Sequence, residues 1–381
     1  MRATDRAATV DLVARGAHAV ARIRALAPGQ PEFERINPLI DPRWSEFVCA
    51  APAATAFHHR AWLALLARQY RYELFACCLT DRDGQIQAGV PLARVASRLT
   101  GTRLVSLPFS DVVPPLYRAD SGPRLELELS RALCAESARQ RVSLDLHAPW
   151  TALAGSYESG RFWHHTVALG RSFDELESET DRACRKNLRK ARRAGVVVSV
   201  RTDEAALDAF YRLHAQTRHR QGVPIQPRRF IRGFAELFAQ DLGFVMLAQV
   251  GTQVIAGAVL LRWNGTLIYK YSASDRSEQG KRPVDLMTAE AIRFGSEQGL
   301  HTFDFGRTDV DNPGLRTFKL KWGAQEHRLA YTKLSHAPGQ ARAKHTPRPL
   351  AKLSQLQHAA IRTAPPAFGR LVGQVLYRHF A

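Results

Sequence analysis

The sequence is poor in cysteine and has no long apolar run. Its five cysteines are an odd number among 381 residues, and none forms a Cys-x-x-Cys pair. No histidine lies at zinc-ligand spacing, so the sequence predicts neither a structural metal site nor a disulfide framework. No stretch approaches the ~18–20 apolar residues that cross a bilayer, and the N-terminus lacks the apolar core and cleavage site of a secretory signal. These absences predict a cytoplasmic protein.

Acidic residues are also scarce. Asp and Glu number 35 against 54 Lys and Arg, which gives a formal net charge of +19. A surplus of this size favours an anionic partner, because the summed field of the protein concentrates anions at its surface. Nucleic acid, a phosphorylated substrate and an acidic membrane surface all meet this condition. Charge alone therefore leaves these three classes open.

The length of the chain predicts two domains, because 381 residues exceed one ordinary hydrophobic core. The second half is predicted as strand–helix–helix, a three-strand meander, helix–strand, a turn and a closing strand. Asn264-Gly265 marks a type I′ turn in that meander, and Pro283 begins the next helix. The first half repeats this order with a less certain start. We predict an N-terminal arm (1–36), two similar domains (37–165 and 166–335) and a basic amphipathic tail (336–381).

The densest group of chemically capable side chains lies in residues 301–323. Alternation predicts a strand there, with Phe303 and Phe305 on one face and Asp304 on the other. Gly306 is predicted to end this strand, and strand ends often present functional side chains. A polar loop and an amphipathic turn follow. An ordinary charged surface accounts for the same pattern, so both interpretations stay open.

A basic run occupies residues 182–193. A capping box predicts that a single helix begins at Ser172 and continues through this run. Arg185, Lys186 and Arg189 recur at helical spacing, so part of the charge lies on one face. A diphosphate, a tRNA backbone or an acidic glycan would suit this face. A solvated surface is the alternative, although so many like charges on one helix repel one another.

Some isolated residues also invite functional interpretation. Cys184 lies among cations, which lower a thiol pKa, so a reactive thiol is one hypothesis. Arg228 begins a later helix and is a further candidate for the anion bound by the basic run. His164 and His165 are adjacent, but nothing suggests a metal, and ordinary strand positions are expected for both.

Residues 346–381 are basic and amphipathic, and Pro365-Pro366 divides them into two predicted helices. Helices of this kind can lie on an anionic membrane. They can equally pack on the body of the protein. Peripheral contact with the inner membrane through this segment and packing on the protein are therefore both retained.

The order of elements resembles the GNAT acyltransferase fold, and two such domains in tandem resemble the FemAB-type acyltransferases of bacteria. The resemblance covers roughly residues 40–335. It implies an α/β (α+β) fold of two tandem GNAT-like domains, each a mixed, mostly antiparallel sheet flanked by helices. The first half is similar to the version found near exopolysaccharide systems. The matching motifs are His59-x-x-Trp62, Val105-Ser106-Leu107-Pro108-Phe109, Arg185-Lys186-Asn187-Leu188-Arg189-Lys190-Ala191, Phe303-Asp304-Phe305-Gly306-Arg307 and Phe318-Lys319-x-Lys321-Trp322-Gly323.

The resemblance implies transfer of an acetyl, acyl or aminoacyl group to an amine or hydroxyl of a cell-envelope glycan or peptidoglycan precursor. The donor would be acyl-CoA or aminoacyl-tRNA, with no tightly bound cofactor. The chain lacks the long helical insertion of the tRNA users that build glycine bridges. It also lacks a clean Gln/Arg-x-x-Gly-x-Gly/Ala loop of CoA-binding domains. In the equivalent place Gly280, Lys281 and Arg282 precede a helix start, where a phosphate can bind.

The resemblance also implies roles for individual residues. Lys319 matches the family lysine near the transferred group, where its charge would stabilise an oxyanion. Asp304 would accept a proton or orient an amine, or is simply the outward residue of its strand. Arg307 would bind a phosphate or carboxylate, and Trp322 would pack against a ring of the ligand or in the core. Tyr271 lies in the strand whose backbone N–H groups would polarise the donor carbonyl.

Two other classes of function compete with an acyltransferase. One is a basic nucleic-acid-binding protein, and the other is a peripheral membrane scaffold with a degenerate acyltransferase fold. The sequence has no zinc-finger, RRM or KH signature, and its aromatic residues do not interleave with the basic run. These observations disfavour nucleic-acid binding and leave the scaffold as an alternative.

Overall fold

The computed structural model describes most of the chain, namely residues 31–97, 100–119 and 123–336 and, in the tail, residues 361, 363, 369, 373 and 377–379. Its contacts divide the chain into two compact units. The first unit is residues 1–157 with 332–338, and the second is residues 158–331 with 339–381. The division lies within a strand, and the predicted boundary after residue 165 lies further along that same strand.

The first unit is a mixed sheet with helices. Its elements are β1 (Glu32–Ile36), α1 (Pro42–Ala50), α2 (Arg60–Tyr70), β2 (Glu73–Thr80), β3 (Ile86–Ser97), β4 (Gly101–Val105), β5 (Leu116–Tyr117), α3 (Pro123–Gln140) and β6 (Ser143–Leu146). Strands β1, β2, β3 and β4 pair antiparallel in that order, and β6 pairs parallel with β4. Phe33 in β1 belongs to the buried core. The predicted arm therefore contributes its last residues to the sheet, which corrects that part of the prediction.

The second unit has its own mixed sheet. Its elements are β7 (Ser156–Ala168), α4 (Phe173–Glu179), α5 (Arg182–Arg193), β8 (Val197–Arg201), α6 (Glu204–Gln221), α7 (Arg228–Arg232), α8 (Phe234–Phe238), β9 (Gly243–Val250), β10 (Gln253–Trp263), β11 (Thr266–Ser274), α9 (Pro283–Glu297), β12 (Thr302–Asp309), α10 (Pro313–Leu320) and β13 (Gln325–Leu334). The strand order is β13-β7-β12-β11-β10-β9-β8. Strands β11 and β12 are parallel, and β7–β12, β10–β11, β9–β10 and β8–β9 are antiparallel.

Local signals in the sequence position several of these elements correctly. The loop between β10 and β11 contains Asn264 and Gly265 at φ values of 46° and 72°, as a type I′ turn requires. Pro283 is the first residue of α9, and the capping box at Ser172 and Glu175 is formed. These turns and caps depend on a few neighbouring residues, which is why local sequence predicts them.

The helix predicted to run from Ser172 through the basic run is two helices. Helix α4 ends at Glu179, and Thr180 has the extended backbone of a helix end. Asp181 then starts α5, because its carboxylate accepts a hydrogen bond from the backbone N–H of Ala183 at 2.6 Å. An N-cap aspartate of this kind begins a new helix. The helix predicted to begin at Arg228 is likewise two short helices, α7 and α8.

The described residues of the tail pack on the second unit. Ile361 and Tyr377 are buried, and a Cβ at Gly373 would overlap the backbone carbonyl of Ile225. Packing on the protein is therefore the observed state of these residues. The rest of the two predicted tail helices lies outside the described residues. Within the described residues, no helix combines the length and apolarity needed to cross a membrane.

Candidate active site

The parallel strands β11 and β12 separate part-way along their length. Their pairing ends at Ile268 and Asp304, although β11 continues to Ser274 and β12 to Asp309. Strand β10 holds the outer edge of β11 as far as Ser274, and β7 holds the outer edge of β12 as far as Asp309. We call the gap between these unpaired inner edges the cleft; backbone N–H groups along it can serve as hydrogen-bond donors.

Strand β11 carries a bulge next to this cleft. Its register against β10 shifts at Lys270, so the neighbouring tyrosines point to opposite faces of the sheet. Tyr269 packs against Phe303 in the core. Tyr271 packs against His214 on the other face, with ring centroids 5.5 Å apart. The predicted ligand-binding Tyr271 is thus half-buried beside a buried histidine.

Strand β12 also carries a bulge, and it lies at Gly306. Asp304 pairs with Thr166 of β7 and Arg307 pairs with His164, so β12 has one residue more than β7 between these pairs. Gly306 has a φ of 68°, a conformation that favours glycine. The strand continues beyond it, so the prediction that Gly306 ends the strand is wrong. The extra residue lets Asp304 and Arg307 lie on the same face.

Lys319 lies on helix α10 and hydrogen-bonds the backbone at the bulge of β12. The predicted turn around this residue is in fact a helix, which begins where the Asn312 side chain accepts from the backbone N–H of Leu315. Lys319 is 3% exposed, and its Nζ donates to the backbone carbonyls of Gly306 at 2.9 Å and Arg307 at 3.0 Å. A buried ammonium needs such partners. The result is a fixed positive charge where β12 leaves β11.

Asp304 forms a pair with His164 at the end of the β11–β12 pairing. His164 Nε2 lies 2.8 Å from Asp304 Oδ1, and the same oxygen accepts from the backbone N–H of Gly306 at 2.7 Å. The His164 side chain is 20% exposed and the Asp304 side chain 15% exposed. Sequence reasoning expected an ordinary role for His164 and missed this pair. No local signal could have found it, because the two residues meet only through strand register.

His165 points to the opposite face and is buried. Its Nε2 lies 3.0 Å from Glu326 Oε2, and Arg316 donates two hydrogen bonds to the same carboxylate at 2.7 and 2.8 Å. Burial lowers the pKa of His165, and the charge of Lys319 lowers it further. His165 is therefore neutral at neutral pH. The same hydrogen-bond network anchors helix α10, because Arg316 belongs to that helix.

Arg307 is exposed in the structure, whereas Trp322 is buried. The Arg307 guanidinium lies 4.4 Å from the ring centroid of Phe162 and donates to the Tyr331 hydroxyl at 3.2 Å. It is an exposed residue, so an anion can reach it. Trp322 is 3% exposed and packs with Phe318 in the core. The prediction that Trp322 contacts a ligand ring is wrong, because its ring has no open face.

Helix α5 presents its predicted cations in two ways. Arg185 donates to the backbone carbonyls of Ser178 and Thr180, which ties α5 to the end of α4. Lys186 and Arg189 are exposed. A cavity of about 720 Å³ adjoins Arg185, and its lining carries equal numbers of acidic and basic side chains. The lining residues are Asp174, Glu177, Ser178, Arg185, Arg192, Glu290 and Arg293.

Two weaker site predictions are corrected by their surroundings. Arg228 shares the Asp208 carboxylate with Arg232, at 2.7 and 2.5 Å, so its charge is already paired. These two guanidinium groups hold the pKa of Asp208 well below its usual range. Burial raises the pKa of the Cys184 thiol to about 11, so the hypothesis of a reactive thiol at Cys184 is wrong.

The predicted phosphate site precedes helix α9. Gly280 and Lys281 lie in a short 3₁₀ turn, and Lys281 pairs with Glu278 at 2.5 Å. Arg282 is the N-cap residue of α9 with a φ of 60°, and no side chain caps the first amides of that helix. Uncapped N-terminal amides are a ready anion site. Asp285 in the first turn accepts from the Asn187 side chain at 2.9 Å and places one negative charge nearby.

Comparisons with known proteins agree with this architecture. Residues 178–319 match a family model described as an acetyltransferase (GNAT) domain. The structure resembles a solved structure of FemX with a TM-score of 0.60 and 16% identity, over 84% of this chain and 99% of that chain. The chain therefore contains a GNAT acetyltransferase domain, and its fold is similar to that of FemX. The predicted mixed α/β fold and the acyltransferase class are thereby confirmed.

Two further solved structures show the same fold. A tandem GNAT protein from the clavulanic acid biosynthesis pathway aligns with a TM-score of 0.52 and 14% identity, over 81% of this chain and 99% of that chain. The C-terminal domain of a putative lysylphosphatidylglycerol synthetase from Agrobacterium fabrum aligns with a TM-score of 0.51 and 15% identity, over 83% and 95%. A search of curated proteins finds no match.

Proposed function

We propose that the chain transfers an acyl or aminoacyl group from a phosphate-bearing donor to an amine or hydroxyl of a cell-envelope precursor. The observation that carries this proposal is the separation of β11 from β12 at Ile268 and Asp304. A fixed cation, Lys319, and a histidine–aspartate pair lie where the strands part. These groups supply the charge stabilisation and the proton acceptor that acyl transfer requires.

The cleft suits a donor carbonyl. A carbonyl placed against the separated edge of β11 would accept from its backbone N–H groups, and polarisation by such donors lowers the barrier to attack. Lys319 is the candidate for stabilising the developing oxyanion, either through its charge or by holding the carbonyls of Gly306 and Arg307 in place. In this proposal the second unit, most of which corresponds to the predicted domain 166–335, performs the chemistry.

The donor carries phosphate in either form that we consider. The uncapped start of α9, with Lys281 and Arg282, would bind the diphosphate of acyl-CoA. The exposed Lys186 and Arg189 of α5 would instead follow the backbone of an aminoacyl-tRNA. The similar tandem GNAT structure is named with reference to AcCoA, which favours acyl-CoA. The similar synthetase domain favours an aminoacyl donor.

The acceptor follows from the FemAB resemblance and from Arg307. Its exposed guanidinium, held against Phe162, would bind a phosphate or carboxylate of an envelope glycan or peptidoglycan precursor. Precursors of this class are made at the cytoplasmic side of the inner membrane. We therefore propose a cytoplasmic location, with the basic tail as a peripheral membrane contact.

Donor binding to the purified full chain tests this function. Calorimetry with acetyl-CoA and, separately, with aminoacyl-tRNA is expected to show binding of one of them, and that donor should raise the melting temperature. Radiolabelled donor should then pass its acyl group to an envelope-precursor extract. Binding of neither donor, or binding of tRNA irrespective of aminoacylation with no transfer, would instead indicate a nucleic-acid-binding or scaffold protein.

A further inference from the structure

His164 and Asp304 meet at the position where β11 and β12 part. Asp304 is the last residue of β12 paired with β11, and His164 reaches it from β7 on the other side of β12. The strand register places both side chains on the sheet face opposite the packed pair Phe303 and Val167. The imidazole therefore lies outside the hydrophobic core, in contact with the residue at which the pairing of β11 and β12 ends.

The hydrogen bonds around Asp304 define the state of the imidazole. Asp304 Oδ1 accepts from the Gly306 backbone N–H, and an ionised carboxylate can only accept. The 2.8 Å contact therefore requires that His164 Nε2 carries the hydrogen and donates it. In the neutral ring the lone pair then lies on Nδ1. This is the arrangement in which a carboxylate orients a histidine as a base.

We infer that His164 is a further catalytic residue, which takes the proton from the acceptor amine or hydroxyl, and that Asp304 is the residue that positions it. This inference rests on the proposed function. It refines the earlier prediction for Asp304, because Oδ1 of the carboxylate contacts both the Gly306 N–H and His164, and Asp304 acts through the histidine.

The proposed step conserves atoms and electrons. The acceptor nitrogen or oxygen forms a bond to the donor carbonyl carbon while its proton moves to Nδ1 of His164. When the tetrahedral intermediate collapses, the C–S bond of acyl-CoA or the ester C–O bond of aminoacyl-tRNA breaks. The proton then passes from His164 to the departing thiolate or ribose oxygen, which restores the neutral imidazole.

The other histidines of the second unit near the cleft are less suited to this task. His165 and His214 are 0% and 3% exposed, so an acceptor cannot reach their ring nitrogens. His164 is 20% exposed, so an acceptor can reach it. Exposure and the paired carboxylate together single out His164.

Chemical rescue tests the inference on the full-length protein. His164→Ala is expected to lower kcat by roughly 10²–10⁴-fold, the usual contribution of general acid–base catalysis, while the calorimetric Kd for the donor stays within about twofold. Added imidazole should restore part of the lost kcat, because it can occupy the space left by the ring. Asp304→Asn should give a smaller loss, since the base remains but its orientation is weakened.

His327→Ala is the matched control, because His327 is an exposed histidine on β13 of the same unit. It should match the wild type in kcat and show no imidazole effect. An unchanged kcat in His164→Ala, or a loss that imidazole does not restore, would overturn the inference. If the wild-type protein transfers nothing from either donor, it is the proposed function that has failed, and this outcome is visible before any variant is compared.

Discussion

Each of the two units contains a parallel strand pair, and these two pairs end differently. In the first unit, β4 and β6 pair up to Val105 and Asp145. The segments that follow these two strands stay hydrogen-bonded to each other. Ser106 N–H donates to the Asp145 carbonyl at 2.9 Å, and Ser106 Oγ accepts from His147 N–H at 2.7 Å. In the second unit, β11 and β12 part after Ile268 and run on as separate edges.

The loop after β4 occupies the end of its strand pair. Trp62 Nε1 donates to Ser110 Oγ at 2.9 Å, and His147 Nδ1 donates to the Ser110 carbonyl at 2.8 Å. Leu107 and Phe109 take positive φ values of 64° and 61°, and such strain persists only where the surroundings hold it. The polar groups at the end of the first unit's strand pair are thus hydrogen-bonded to other groups of the protein. The polar groups at the end of the second unit's strand pair border the cleft, so the comparison favours the second unit as the site of chemistry.

Among the substitutions that test this comparison, removal of Lys319 should lower kcat the most. Lys319→Ala is expected to lower kcat by roughly 10²–10³-fold, as the loss of an oxyanion stabiliser does. Steady-state kinetics with a parallel thermal melt measures this effect. The control is Lys333→Ala near the end of β13, where an ion pair with Asp145 at 2.8 Å is lost and kcat should not change. Equal activity of Lys319→Ala and wild type would remove Lys319 from the site.

Acid should destabilise both units, and the buried His58 in the first and His214 in the second are each expected to contribute. Burial lowers the pKa of His58 and of His214 to about 4, below the unfolded value near 6.5. The unfolded chain therefore binds protons first as the pH falls below about 6.5, and stability is lost until the folded pKa is passed. We expect each histidine to contribute a loss on the order of 2 kcal/mol by pH 5.

Urea unfolding between pH 5 and pH 7.5 measures this loss. His58→Gln and His214→Gln should each flatten the pH dependence even where they lower the overall stability. A pH dependence that neither variant changes would show that other groups cause it. Unequal flattening would show that the two histidines differ in their folded-state pKa values.

Opening the closed strand pair of the first unit should lower stability without lowering activity. Ser106→Ala leaves the backbone N–H of His147 without its partner, and an unsatisfied buried donor costs about 1–3 kcal/mol. Chemical denaturation should show that loss while kcat stays at the wild-type value. A fall in kcat at unchanged stability would place part of the chemistry in the first unit and break the comparison.

The smallest effect is expected at Arg228. Its contact with Asp208 is exposed and is shared with Arg232, and surface ion pairs contribute about 0–1 kcal/mol. Arg228→Gln should therefore leave kcat, donor Kd and melting temperature near their wild-type values at ordinary salt. Weaker donor binding in this variant would restore Arg228 as a ligand contact.

The sequence by itself determined most of the order of elements, the turn at Asn264-Gly265, the helix start at Pro283 and the resemblance to GNAT domains. Each depends on neighbouring residues or on the spacing of motifs along the chain. Tertiary structure alone decided that His164 meets Asp304, that Gly306 is a bulge within a strand, and that Trp322 is core. The pairing of His164 with Asp304 joins residues 140 positions apart. Register between β7 and β12 sets that pairing, and no local pattern records it.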